Sequence, residues 1–583
     1  MDPAQVPSPS PSLRQLFAAQ DPLRRALIVC AAVLLAVSLG LPSLLARPRD
    51  ITSYFFATDT LWLLGLAVFL ALAAIVTVPL RLGAWLHLTR RPIASVRTVA
   101  IVAALAAFAG TFAVFHAVPL SYDEVMADFD AQVFLGGRLI APVAPEWRAS
   151  VPALAASFLL PVPGHAAWIS SYLPVGAALR AAFALVATPA LTGPVLLAVA
   201  VLALAGIARR LWPDRPDAAV VAVLMMATSA QALVMAMTPY AMTAHLALNL
   251  VWLRFHLRGG PSGHGGAIAA AFLACGLHQV IFHPLFALPF LVGLVVDRRW
   301  RLAGLYLAAY AAIGAFWTLY WQGLLLATGY AAQGSDPVGG GFMIERVAGL
   351  LRAFEWQGLE TMAMNGVRFV AWQSPFLLPL VVLAWPAIRR GDGLARPLAA
   401  GFVLTVGAMF ALLPYQGHGW GYRYLHGLIG SASLLAAQGW IRATEILDRP
   451  RRDAAAAILG LGWIGAALIQ VPGRALEAHD FAAPYVTAME AIARTPADIV
   501  LVDDANLVYG MDLVRNDPYL RGTPTVLLLR RLTAERLADL CDHRRIALFG
   551  GEAGNRLGIA RASDPAAHPA PSIPCAVSAV TVP

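Results

Sequence analysis

The sequence predicts an all-α polytopic membrane protein with amphipathic surface helices and a small α/β domain at its C-terminal end. Three observations lead there. Of the 583 residues 59% are hydrophobic and only 13% charged, with a mean hydropathy of +0.68. The apolar residues are gathered into many runs of about 18 or more, which a bilayer requires and a soluble core does not. Arginines recur in every second loop between those runs, as the positive-inside bias demands.

Basic character is itself informative. All 42 Lys+Arg residues are arginine, and the formal net charge is +9. The absence of lysine excludes Schiff-base lysine chemistry and leaves arginine, histidine or backbone amides to hold any phosphate. The excess of positive charge lies in short inter-span loops, where membrane orientation accounts for it, so no nucleic-acid partner is expected.

Taken in order, about 13 spans are expected, near residues 26–46, 59–80, 98–118, 190–208, 218–238, 241–257, 266–277, 284–297, 302–327, 374–388, 398–414, 426–445 and 454–472. The first lies behind a polar leader with no clear small-residue cleavage site after it, so it reads as a span and not as a signal peptide. With residues 1–25 cytoplasmic, the inner loops carry Arg81, Arg90, Arg91 and Arg97, then Arg209, Arg210 and Arg215, and onward to Arg449, Arg451 and Arg452. Residues 26–472 then form the transmembrane domain, with long outer loops at 119–188 and 329–373, and 473–583 an extracytoplasmic α/β domain. Within the second outer loop, the segment from Ala348 to Trp372 has the pattern of a surface-lying helix.

In the C-terminal domain, Ala497 to Val502, Thr525 to Leu529 and Ile546 to Phe549 read as strands and Thr533 to His543 as a helix. Gly550 to Gly554 lacks the lysine of a phosphate loop and reads as a turn. Cys541 and Cys575 share this exported domain and are expected to form a disulfide, whereas Cys30 and Cys275 lie in spans as small apolar residues.

The chemistry is expected where acids cluster. Asp123, Glu124, Asp128 and Asp130 fall within eight residues, immediately after an apolar run. On a helix Asp123, Asp130 and Arg138 share one side, Glu124, Asp128 and Gln132 continue that polar arc, and Val125, Met126, Phe129 and Val133 form the opposite one. Such a helix is expected to lie in the membrane surface with its carboxylates toward water. Ser121 and Glu124 also have the spacing of a capping box, and first-turn acids favour the helix dipole, but capping explains neither Asp128 nor Asp130.

Other polar groups collect at outer span ends: His245, His278 with Gln279, His283, and His418, Tyr422, Arg423, Tyr424 and His426. The interiors of nearly all spans lack charge, which argues against a transport path and for a reaction at the outer surface. Each histidine alone is compatible with simple packing, and the five-residue spacing of His278 and His283 is a weak zinc signal. Arg423 runs against the positive-inside bias and so requires an anionic partner.

Together, Tyr122-Asp-Glu124, Phe129-Asp-Ala-Gln-Val-Phe134 with Gly137-Arg-Leu139, Trp168 to Gly176 and Gly421-Tyr-Arg-Tyr424 resemble the motifs of polytopic glycosyltransferases of the GT-C fold. Among these, the chain resembles bacterial relatives of protein O-mannosyltransferases, aminoarabinose transferases and lipopolysaccharide-core galacturonosyltransferases. The resemblance implies an inverting transfer of sugar from a polyprenyl-phosphate donor to an envelope glycan, lipid or protein, on the outer face of the bacterial cytoplasmic membrane. Carried over, Asp123 is the catalytic base, with Glu124 orienting the acceptor or supporting the helix. Arg423 holds the lipid phosphate, and Arg138, His278, His283, Tyr422, Asp128 and His245 are weaker substrate-binding candidates. No metal ligands are assigned, and the need for a divalent cation is left open. A flippase and a non-catalytic scaffold of envelope-glycan assembly are the rival readings; the scaffold would tolerate loss of Asp123 and Glu124.

Overall fold

The computed structural model describes residues 22–44, 51–75, 92–154, 158–160, 162–327, 356–560 and 572–583. The loop arginines Arg81, Arg90 and Arg91, the glycines at 339–341 and most of the N-terminal segment lie outside them. Among the described residues, seven helices are long and apolar enough to cross a membrane. Pro216–Ala227 and Ala230–Ala236 make an eighth span bent by 56°. At the bend Thr228 Oγ1 donates to the Leu224 carbonyl (2.7 Å), and the Ser229 hydroxyl accepts from Ala232 N (3.1 Å) to start the second helix. The remaining apolar runs form shorter helices, Met242–Arg258, Gly260–Cys275, Phe282–Val296, Leu377–Leu383 with Trp385–Arg390, and Ile429–Ile446. A helix or helix pair thus stands at each expected span.

Two elements differ from expectation. The helix of the last expected span does not stop near residue 472 but continues through a π-helical turn at Ala466–Gln470, giving one 46-residue helical rod from Arg449 to Arg494. The helix Trp356–Ala371 is not a peripheral amphipath with its charges in water. Its polar side, with Thr361, Asn365 and Arg368, is buried in protein, and Trp356 and Leu359 face outward. Asn365 Nδ2 donates to the Pro414 carbonyl (2.9 Å) and Arg368 to that of Gly419 (2.6 Å). Asp59 anchors this region, accepting from Trp372 Nε1 (2.8 Å) and pairing with Arg474 (2.9 Å). A buried carboxylate is tolerable only with such partners.

The C-terminal sheet is parallel, in the order Thr525–Leu528, Ile499–Val502, Ile546–Phe549, Ser578–Ala579, with the helix Ala534–His543 crossing between two strands. Its central strand is buried on both faces, as parallel strands are. Val500 and Val502 pack in the same core as Ala488 and Ile492 of the rod, while Ile499 and Leu501 share a core with Met126, Phe129 and Val133. The glycine segment after Phe549 opens a short helix, Gly551–Arg556, in place of a plain turn. Cys541 and Cys575 are disulfide-bonded, with Cα atoms 5.7 Å apart.

Candidate active site

Ser121, in extended conformation, starts the helix Tyr122–Leu135. Glu124 Oε2 turns back to accept from the backbone N–H groups of Leu120 (3.1 Å) and Ser121 (2.9 Å) and from the Ser121 hydroxyl (3.1 Å). These are the donors a helix start leaves unpaired, so Glu124 holds the helix start and does not face Arg423. Burial pushes its carboxyl up to about 7 in spite of those donors.

The helix does not leave its apolar arc free for a membrane surface. Its apolar arc, Met126, Phe129 and Val133, is buried against the C-terminal sheet and Trp168. That arc is as suited to a protein surface as to lipid, and here a domain far along the chain covers it. Polar residues consequently point inward, on two sides. Asp123, Ala127 and Asp130 line a narrow, partly open cavity of about 40 Å³ with Tyr172, Tyr240, Thr243 and His278. Glu124, Asp128 and Gln132 line a larger one of about 570 Å³ with Arg180 and Arg515. Arg180 borders both and pairs with Asp128, its Nε donating at 2.8 Å.

Asp123 is the best-engaged carboxylate. Arg423 donates to its Oδ2, and Tyr172 Oη to its Oδ1. Burial opposes its charge, but Arg423, nearby His278 and the Tyr172 hydrogen bond outweigh it and hold the carboxyl below its usual range. Asp130, which lacks a guanidinium, is raised by burial to about 7.

Arg423 reaches this position because the loop before it folds back. Gly417, Gly419 and Gly421 all have positive φ. A Cβ on Gly421 would meet the Gln231 side chain at 2.6 Å, which only glycine avoids. Gln416 Oε1 accepts from Arg423 N (2.8 Å), and Gln231 Nε2 donates to the Tyr422 carbonyl (2.8 Å). The guanidinium lies between the rings of Tyr240 and Tyr424, 5.3 Å from each centroid. The Tyr240 hydroxyl is 2.6 Å from Ser121 Oγ and donates to the His418 carbonyl (3.1 Å). His278 packs on Tyr172, with ring centroids 4.4 Å apart.

Several expected residues lie elsewhere. The helix ends at Leu135, so Arg138 is not on the Asp123 side of it and is exposed in the following turn. Both ring nitrogens of His283 are engaged inside the bundle, by Asn249 Oδ1 and Tyr310 Oη at 2.8 Å each, so it has none to offer a zinc ion shared with His278. Tyr422 is buried with its hydroxyl toward Met362 Sδ (3.6 Å), and its neighbours Arg423 and Tyr424 face the site instead. His245 is buried beside Phe282, 5.4 Å between rings. Among the described residues no group of three or more His, Cys, Asp or Glu is placed to hold a metal ion. Tyr240, Arg180 and Arg515 were not foreseen; Tyr240 in Met237-Thr-Pro-Tyr240 closes an outer span end, the one local signal available.

No family model matches the chain, and neither does any curated protein. The chain is similar to ArnT from Cupriavidus metallidurans bound to undecaprenyl phosphate, at 13% identity and a TM-score of 0.44, covering 77% of this chain and 86% of that one. It is similar also to ArnT from the same organism in the apo state, at 14% identity and a TM-score of 0.41, over 76% and 86% of the two chains.

Proposed function

We propose that this multi-pass membrane protein is an inverting glycosyltransferase that takes a sugar from a polyprenyl-phosphate donor. The observation that carries the reading is the contact between Asp123 and Arg423, 300 residues apart in sequence and each expected on independent grounds to work in the site. Polyprenyl phosphate as the donor lipid, and inversion, come from the motif resemblance.

Asp123 is the base. Held ionised and buried, it is able to take the acceptor hydroxyl's proton as the sugar bond breaks. Arg423 binds the donor phosphate, and its planar fork stabilises the charge that grows on the departing lipid phosphate. Before donor arrives the two neutralise each other. An incoming phosphate competes for the guanidinium, and Asp123, losing that partner, becomes more basic beside the acceptor. Tyr172 keeps the carboxylate oriented throughout. The N-terminus is cytoplasmic and the C-terminal domain extracytoplasmic in this proposal, so reporter fusions after Arg97 and at the C-terminus give opposite compartments.

Asp123→Asn should bind undecaprenyl phosphate at least as tightly as the wild type, since the phosphate no longer competes with a carboxylate for Arg423, while transfer falls by ~10² or more. Arg423→Ala should weaken binding and transfer together, and Arg423→Lys should restore them only in part. Undiminished transfer by Asp123→Asn in membranes of a strain lacking the native gene refutes the assignment.

A further inference from the structure

A second site lies at the opposite end of the bundle. Thr192 opens the helix Thr192–Leu211 and lines the Asp123 cavity, and Arg210 stands 18 residues later on the same helix, about 27 Å away at 1.5 Å per residue. Thr243 on the helix Met242–Arg258 also lines the Asp123 cavity, and Arg254 and Arg258 stand at that helix's far end. Between the two far ends is a cavity of about 720 Å³ lined by Val199, Leu202, Ala203, Gly206, Val251 and Phe255 together with Arg210, Arg254 and Arg258. Its volume is that of a ligand cleft.

Three features separate it from ordinary loop arginines. The cationic groups come from two helices and converge on one apolar groove, and the lining holds no carboxylate. Among the described residues, none of the three makes an ion pair or side-chain hydrogen bond. The groove is also shaped for its arginine: the Arg254 guanidinium lies over Gly206, where an added Cβ would meet its Cζ at 3.0 Å. Paired cation and apolar wall match the two parts of a lipid.

We propose that this groove binds an anionic phospholipid of the leaflet opposite the Asp123 site. Its phosphate sits among Arg210, Arg254 and Arg258 and its acyl chain lies along Val199, Leu202 and Val251. A zwitterionic lipid has the same phosphate, but its ammonium would face three arginines, so the groove discriminates by headgroup charge. The site is independent of the chemistry proposed at Asp123.

The test uses the full chain in nanodiscs of equal parts phosphatidylglycerol and phosphatidylcholine with identical acyl chains, read by native mass spectrometry of retained lipid. Wild type should retain phosphatidylglycerol at least roughly tenfold over phosphatidylcholine. Arg210→Gln with Arg254→Gln and Arg258→Gln should lose that preference. Gly206→Leu keeps all three charges, displaces the Arg254 guanidinium into the groove, and should also lose it. Arg449→Gln with Arg451→Gln, basic positions beyond the far end of Ile429–Ile446, should keep it. Equal retention of both lipids by wild type, equal loss in the Arg449/Arg451 control, release of the lipid by excess inorganic phosphate, or an arginine-dependent dimer in place of bound lipid would each overturn the proposal.

Discussion

Asp123, Glu124 and Asp130 lie on one short helix yet have three electrostatic situations, decided by their neighbours. Asp123 faces a guanidinium, Glu124 faces backbone donors, and Asp130 faces little besides Ser170. Glu124 and Asp130 have carboxyls raised to about 7 from ordinary values of 4.5 and 3.8. Between those limits each keeps a proton in the folded protein that the unfolded chain has lost. Their contribution to stability is therefore complete below about pH 4 and declines as pH rises toward 7. Glu124→Gln with Asp130→Asn should flatten the fall in Tm across pH 4 to 7, measured by thermal unfolding in detergent; an unchanged slope contradicts the shifts. Much of this was legible in the sequence. Asp123 and Asp130 share a side as helical periodicity requires, and Arg423 was marked by sitting where arginine is disfavoured. Tyr240 was not legible, because one tyrosine at a span end looks like any other.

The helix Tyr122–Leu135 is positioned less by the membrane than by the C-terminal domain. Arg515 donates to the Pro119 and Leu120 carbonyls, the latter at 2.9 Å, and Tyr122 Oη donates to the Val514 carbonyl (2.9 Å). These bonds fix the entry to the helix one turn before Asp123. Arg515→Ala should lower kcat about tenfold with little change in KM, and Arg515→Lys should restore part of it; a KM effect alone would argue against a positioning role. Three of this domain's four strands and its crossover helix were readable from β-branched runs and a capped amphipathic segment, correct to within two residues, whereas the two-residue edge strand Ser578–Ala579 was too short to give a pattern. Its contact with the acidic helix was not, since a hydrophobic arc has the same pattern whether lipid or protein covers it. The Cys541–Cys575 bond closes a loop of sequence separation 34 at the domain's edge. Replacing both cysteines with alanine should cost about 2–4 kcal/mol of that domain's stability, seen as a lower unfolding temperature that reductant no longer shifts.

For the whole molecule, hydropathy located a helix or helix pair at each expected span, seven or eight of them long and apolar enough to cross a membrane among the described residues, and arginine spacing supplied the proposed orientation. What it could not supply was continuity, because hydropathy falls after Val471 while helical structure does not. The Arg449–Arg494 rod is about 69 Å long at 1.5 Å per residue, more than twice the roughly 30 Å hydrocarbon core. One part lies among the spans, where Arg474 is fastened to Asp59. Its other end packs under the sheet whose domain grips the start of the Asp123 helix. A rod so mounted is expected to act as a lever: a thinner bilayer that tilts the span would swing the end under the sheet, and with it the clamp at Pro119 and Leu120. If Asp123 is the base as proposed, the rate of sugar transfer should vary with the chain length of the surrounding lipid, and Arg515→Ala should abolish that dependence.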